Sequence, residues 1–440
     1  MADIFTGPEP DLAGLLAARP ALEMHASAGL CFEGVPLNLI AERFCTPTWV
    51  YGAASIRARY ATLTEAFAEA GLPLHIHYAV KANDHLAILS LLRHMGAGAD
   101  IVSQGEFLRA RRAGIAPAHI VFSGVGKSVP ELEAVLAQGI GQINVESAEE
   151  LDILSATATR LGLTARVVLR MNPDVDAGTH AKITTGLAEN KFGIAREDIP
   201  ALYAKGAGLP GIEMRGLALH IGSQILSPAP YETAYTIAAE MVRGLRAQGQ
   251  SVSVLDLGGG LGIGYHDEPG MNPAAFAAVV RKTVGDLGVR LVLEPGRYLV
   301  GPAGLLLASV LLEKRTAKRF VVLDAAMNEL MRPALYEAWH GILPVDAARF
   351  HHPQTPADVV GPVCESADCF AYDRALPDLP PSALVALLDA GAYGAVMSSP
   401  YNARPRAAAV LIDACTPHLI TPRQTHEALW ADEHIPGSEL

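Results

Sequence analysis

The chain has no Cys-x-x-Cys pair, and its five cysteines, Cys31, Cys45, Cys364, Cys369 and Cys415, make an odd set. That argues against a disulfide framework or a structural zinc site and fits a reducing compartment. No metal centre is expected. There is no basic block or aromatic-interleaved basic stripe, and 34 Lys and Arg against 46 Asp and Glu give a formal net charge of -12. A nucleic-acid partner is therefore not expected, and the acidity is most simply a matter of solubility. Long apolar runs are missing too. Residues 305–312 are too few to span a bilayer. Residues 12–22 are broken by Arg19 and Pro20, so no signal peptide is read. A soluble cytoplasmic protein with no membrane partner is the expectation.

The 440 residues are half hydrophobic, enough for two domains or for one barrel with an addition. Residues 1–28 are poorly patterned and read as irregular. Short strands follow near residues 29–35 and 47–51, around a helical stretch at 37–44. From about residue 55 helix and strand alternate. Apolar strand candidates lie at 74–80, 99–102, 119–122, 142–145, 166–170, 216–220, 252–256 and 290–294, with amphipathic helical stretches between them. About eight βα units is the number that closes a parallel barrel. After Gly296 the alternation stops, and strand candidates at 305–312, 320–323, 358–363, 384–388 and 408–412 point to a β-rich domain. The expected fold is thus α/β: a (β/α)8 TIM-like barrel over 55–300, plus a discontinuous β-sandwich or barrel-like domain from 29–54 and 301–425.

Catalytic groups of such barrels gather at the C-terminal ends of the strands. The polar residues Lys81, Ser103, Asn172, His220 with Ser223, and Glu294 with Arg297 all fall at such ends. Lys81 closes the apolar run Leu74 to Val80. A lysine there is either a Schiff-base amine or a strand-end side chain that snorkels to solvent, and the strand alone leaves both open. The run Gly258-Gly259-Gly260-Leu261-Gly262 suits a phosphate or a tight turn, and it is out of register with a dinucleotide fingerprint. Gly124-Val125-Gly126-Lys127-Ser128 looks like the end of a nucleotide-binding loop. Val121 stands where the leading glycine belongs, so the match is read as false. Glu294 could keep a pyridine nitrogen protonated or simply pair with Arg297. His220 could stack on a planar ring or be a core histidine, Cys364 could donate a proton or be a small hydrophobe, and Tyr393 could serve a phosphate or ordinary packing.

Read together, these residues give a sequence that resembles the pyridoxal-phosphate decarboxylases of the alanine-racemase-like fold. The resemblance rests on Tyr-Ala-Val-Lys-Ala-Asn at 78–83, Thr-Gly-Leu-Ala-Glu-Asn-Lys-Phe-Gly at 185–193, His-Ile-Gly-Ser-Gln at 220–224 and Gly-Gly-Gly at 258–260. It continues with Glu-Pro-Gly-Arg at 294–297, Met-Asn-Glu-Leu-Met-Arg-Pro-Ala-Leu-Tyr at 327–336, Cys-Glu-Ser at 364–366 and Asp-Ala-Gly-Ala-Tyr-Gly at 389–394. It implies pyridoxal 5'-phosphate as cofactor, with Lys81 as the Schiff-base amine. His220 would lie on the ring and Glu294 at its nitrogen. Gly258, Gly259, Gly260, Ser223 and Tyr393 would hold the phosphate, with Pro295, Gly296 and Arg297 also among the cofactor-binding residues. Arg297, Arg332, Tyr336, Tyr393 and Glu365 would meet the substrate. Cys364 would return a proton to Cα. Cys364 and Glu365 would come from the other subunit of a homodimer with shared sites. The substrate so implied is meso-2,6-diaminopimelate, decarboxylated to L-lysine at the end of lysine biosynthesis. Arg332 favours it over diamine-forming substrates, which lack a distal carboxylate. Glu294 weighs against a racemase, and the C-terminal domain against a non-catalytic cofactor carrier.

Overall fold

A strand covered by helices on its outer face and by other strands within has no wet side, so it reads as a continuous apolar run. Eight such runs shape the first unit of this protein. The structure is a computed structural model that describes residues 9–177, 186 and 190–436. It divides into two compact units. One takes Ile56–Gly264 and Pro269–Gly301. The other takes the described residues up to Ser55, Tyr265–Glu268, and those from Pro302 onward.

In the first unit the strands Leu74–Ala79, Gly98–Ile101, Ile120–Phe122, Gln142–Val145, Ala165–Asn172, Ile212–Ala218, Val254–Asp256 and Arg290–Leu293 pair in parallel, each with the next in the chain. The eighth pairs with the first, Leu291 against Leu74 and Leu293 against Ile76, and the barrel closes. Ile76, Val121, Ile143, Val167, Leu217, Leu255 and Val292 are buried in it. The helices between have local starts and stops. Ser128 and Glu131 form a capping box before Val129–Ala137. Ser147 caps Ala148–Leu161, which ends on left-handed Gly162. The fifth and sixth strands extend past the sequence expectation. The sixth starts at Ile212, because Glu213 and Arg215 at its half-buried opening hide it from a search for apolar runs.

The second unit is β-rich, as expected. Gly304–Arg315 is its hub, pairing with Thr48–Gly52, Arg319–Leu323 and Leu384–Leu387. The sheet extends through Thr355–Val360 to Cys369–Leu376 on one side. On the other it extends through Ala408–Asp413 to Thr416–Thr421. Cys369–Leu376 and Thr416–Thr421 are absent from the sequence reading, since their exposed residues dilute the apolar pattern.

The expectation of irregular chain before residue 29 fails for the described part. Leu12–Ala17 is a helix whose Asp11 cap accepts from the Gly14 N–H at 2.7 Å. Leu22–His25 forms an antiparallel pair with Gly29–Phe32. Both elements are too short for a periodicity to show. Among the described residues no helix is long and apolar enough to cross a membrane.

Candidate active site

Strand one ends in a single 3-10 turn, Val80–Ala82, which puts Lys81 at the C-terminal mouth of the barrel. Its side chain is about one-third exposed, and Nζ donates to Asp100 Oδ2 at 3.1 Å. Asp100 is fully buried and lies on strand two, in register with Ala79. Sequence reasoning missed it. The signal was a lone carboxylate inside the apolar run Gly98-Ala99-Asp100-Ile101, which needs a buried cation nearby.

Glu294, just past strand eight, and Asp256, at the end of strand seven, are also buried. Asn144 Nδ2 donates to both carboxylates, and Gln142 Nε2 to Asp256 at 3.0 Å. Burial first, then repulsion from Asp100 and Asp256, holds the Glu294 carboxyl well above the usual range, and Lys81 pulls the other way. Burial also raises Asp256. Three buried carboxyls around one lysine form a site that stabilises further positive charge.

The glycine run lies beside them. Gly258 and Gly260 have φ of +69° and +91°, and a Cβ on Gly258, Gly259 or Gly260 would collide with the carbonyl oxygens of Leu219, Glu294 and Gly222. The Gly259 N–H donates to His220 Nδ1 at 3.2 Å. Burial, then Arg170 and Lys81, pulls the His220 pKa well down, so the ring is neutral with its proton on Nε2. Arg297 is buried, opens the turn Arg297–Val300, and donates from Nη2 to Ser223 Oγ at 3.1 Å. Pro295 and Gly296 are buried between Glu294 and that turn. The barrel unit thus gathers Lys81, His220, Ser223, Gly258 to Gly260 and Glu294 to Arg297 at one end. It adds Asp100, Asn144, Asp256 and Arg170, which no motif singled out.

Two strand-end residues resolve to structural roles. Ser103 caps the helix Gln104–Arg112, accepting from the Glu106 N–H. Asn172 donates to the Phe192 carbonyl at 3.2 Å. Lys127 of the false nucleotide loop is buried and donates to the carbonyls of Gly124 and Asn144 and to Glu150. Of the 185–193 motif, residues 185 and 187–189 lie outside the described residues.

The β-rich unit holds the other candidates. Arg332 is buried at the start of the helix Arg332–Tyr336. Its Nη1 donates to His340 Nε2 at 2.7 Å, and its guanidinium lies 4.6 Å from the centre of the Tyr265 ring. His340 donates in turn from Nδ1 to the Leu388 carbonyl, also at 2.7 Å. Tyr336 ends the helix half-buried. Tyr393 sits at φ +54° between Ala392 and Gly394, a left-handed position uncommon for a tyrosine. Cys364 and Glu365 are exposed; the Cys364 N–H donates to Asn402 Oδ1 at 3.0 Å and Tyr401 donates to Glu365 at 2.9 Å.

Arg19 is the main residue that sequence reading overlooked here. It is buried, and its Nε donates to Asp389 Oδ2 at 2.8 Å while Nη2 pairs with the same oxygen. Its other N–H groups donate to the carbonyls of Leu15, Tyr265 and His266 at 2.9, 2.6 and 3.1 Å. One guanidinium therefore ties the N-terminal helix to the turn that leads to Tyr393 and to the segment that carries Tyr265.

The model for the pyridoxal-binding domain of pyridoxal-dependent decarboxylases matches residues 53–301. Diaminopimelate decarboxylase of Zymomonas mobilis is 45% identical, over 92% of this chain and 96% of its own. The enzyme of that name from Pseudomonas aeruginosa is 46% identical, over 93% and 98%. A crystal structure of diaminopimelate decarboxylase from Helicobacter pylori, complexed with L-lysine, superposes with a TM-score of 0.86 at 39% identity and covers 90% of this chain and 98% of that one. Fold, barrel-end residues and relatives agree, and the chain belongs to the diaminopimelate decarboxylases, a branch of the pyridoxal-dependent decarboxylases.

Proposed function

We propose that the chain works in the cytoplasm as a homodimer with shared active sites, and that it decarboxylates meso-2,6-diaminopimelate to L-lysine and CO2. The observation that carries this reading is Lys81 at the barrel mouth, paired with buried Asp100 and within the field of Glu294. The five cysteines are all free thiols, which suits a reducing compartment.

Pyridoxal phosphate fits the barrel end on observations of this structure. A bare glycine run with no room for side chains lets a phosphate approach the backbone closely. A cluster of buried carboxyls favours a protonated ring nitrogen. A neutral histidine stands against the cradle. When bound, the cofactor supplies an electron sink for the pair left on Cα as CO2 departs.

The chain's own residues supply the rest. Lys81 Nζ would hold the cofactor, with Asp100 keeping that nitrogen in place. Glu294 holds a proton at the ring nitrogen, and Asn144 and Asp256 hold Glu294. Gly258 to Gly260, Ser223 and Tyr393 would hold the phosphate, and His220 would pack on the ring. Arg297, Arg332 and Tyr336 orient the substrate through its carboxylates. Cys364 returns a proton to Cα, and Glu365 accepts from the distal ammonium; both come from the neighbouring subunit. Their exposure in a single chain, on a segment held by Asn402 and Tyr401, supports that assignment.

Two assays check the reading. Purified holoprotein is expected to release CO2 from meso-diaminopimelate and far less from the LL isomer. Turnover of both at equal rates, or racemisation without CO2, contradicts it. Mixing inactive Lys81→Ala and Cys364→Ala subunits is expected to restore part of the activity, because one site of each mixed dimer regains both groups. No recovery in confirmed mixed dimers contradicts the shared site.

A further inference from the structure

The opposite end of the barrel holds a second cavity, which the reaction leaves unused. It has a volume of about 730 Å³, within the range of small-molecule sites. His75 and His77 of strand one, His119, Arg166 and Arg215 of strands five and six, and Arg290 of strand eight line it. None of the described residues lining it is Asp or Glu. Glu213 lies nearby, 3.8 Å from Arg166 and 3.2 Å from Arg215. One carboxylate against three guanidinium groups leaves two positive charges at this mouth, on a chain whose formal net charge is -12. A concave, low-dielectric wall concentrates that field on whatever enters.

His77 adds an independent sign. It is 5% exposed, lines the cavity, and its Nδ1 has no hydrogen-bond partner. That nitrogen is buried against Gly98, where a Cβ would stand 2.8 Å from it. Burial and the Arg290 charge drive the pKa of His77 down to about 3 and also lower His75. Both rings are therefore neutral, with no charge to repel an arginine. Helix C-termini also gather at this end of such a barrel and attract cations, but their field fades within one turn. Three arginines on three barrel strands exceed that requirement.

We propose that the N-terminal mouth of the barrel binds a small polyanion, a phosphate or polycarboxylate carrying two or more negative charges. Arg290 and Arg215 are its principal contacts. Strand one joins the two ends: His77, the lining residue of that strand nearest the other mouth, lies four positions before Lys81, about 13 Å at roughly 3.3 Å per residue. The ligand is thus distinct from the substrate and from the cofactor phosphate.

Calorimetric titration of the cofactor-loaded enzyme at low ionic strength tests this, with inorganic pyrophosphate and citrate as separate probes. Loaded enzyme is used so that the glycine cradle is already filled. The expected result is saturable binding of at least one probe, one per chain. Affinity should fall at least about tenfold in Arg290→Ala and in Arg215→Gln, with unchanged basal CO2 release. Pyrophosphate binding without citrate assigns a phosphate ligand, and the reverse a polycarboxylate. Absence of saturable binding by either probe overturns the proposal. So does an equal loss in Arg315→Ala, whose exposed side chain pairs with Asp378 in the β-rich unit and controls for general charge removal.

Discussion

Arg332→Ala is expected to lower kcat/KM for meso-diaminopimelate by roughly 10²–10³-fold while leaving cofactor affinity nearly unchanged. Arg332 is buried, fixed by His340 and laid over the Tyr265 ring, so its guanidinium is preorganised before any ligand arrives. A carboxylate that meets a fixed fork gains two charge-assisted hydrogen bonds with little further ordering. Removing the arginine leaves that carboxylate desolvated and uncompensated, a loss of about 3–5 kcal/mol for a buried pair. Arg332→Lys is expected to recover only part, because an ammonium offers a point charge and not a fork. Steady-state kinetics with a parallel absorbance titration of pyridoxal phosphate separate the effects. An equal fall in both would remove Arg332 from the substrate and make it a support of the cofactor.

Arg19→Ala is expected to destabilise the protein by about 3–5 kcal/mol, because the buried Asp389 carboxylate loses its arginine. The Leu15, Tyr265 and His266 carbonyls lose their donor at the same time. Thermal unfolding should shift down by roughly 4 °C. Arg19→Ala combined with Asp389→Asn should shift less than Arg19→Ala alone, since the stranded charge is removed. If the double variant is worse by the full sum of the two single losses, the pairing carries no coupling energy and Arg19 acts through packing alone.

These two residues mark where the sequence is readable and where it is not. Barrel strands such as Ile120–Phe122 read directly, because burial on both faces demands apolar runs. The glycines at 258–260 announce themselves, since only glycine fits where a Cβ meets carbonyls. Arg332 is legible through the motif around it. Arg19 is not: its partner Asp389 lies 370 positions away, and no local pattern links them. Asp100 was within reach as a charge in an apolar strand, but its meaning depends on Lys81 standing one strand over, which is a fact of register. Lys127 shows the converse. Its neighbours imitate a nucleotide loop, yet three oxygens of the barrel wall occupy the ammonium. Cys364 and Glu365 carry no signal by themselves; their reading comes from family motifs.

Everything proposed for the reaction requires the cofactor to be joined to one particular nitrogen. Borohydride reduction of the holoenzyme, followed by proteolysis and mass mapping, reads that directly. The expected result is a single peptide, the one containing Lys81, that carries the reduced pyridoxyl mass. A pyridoxyl group on another lysine, or a reduced protein that loses all cofactor on unfolding, would contradict it.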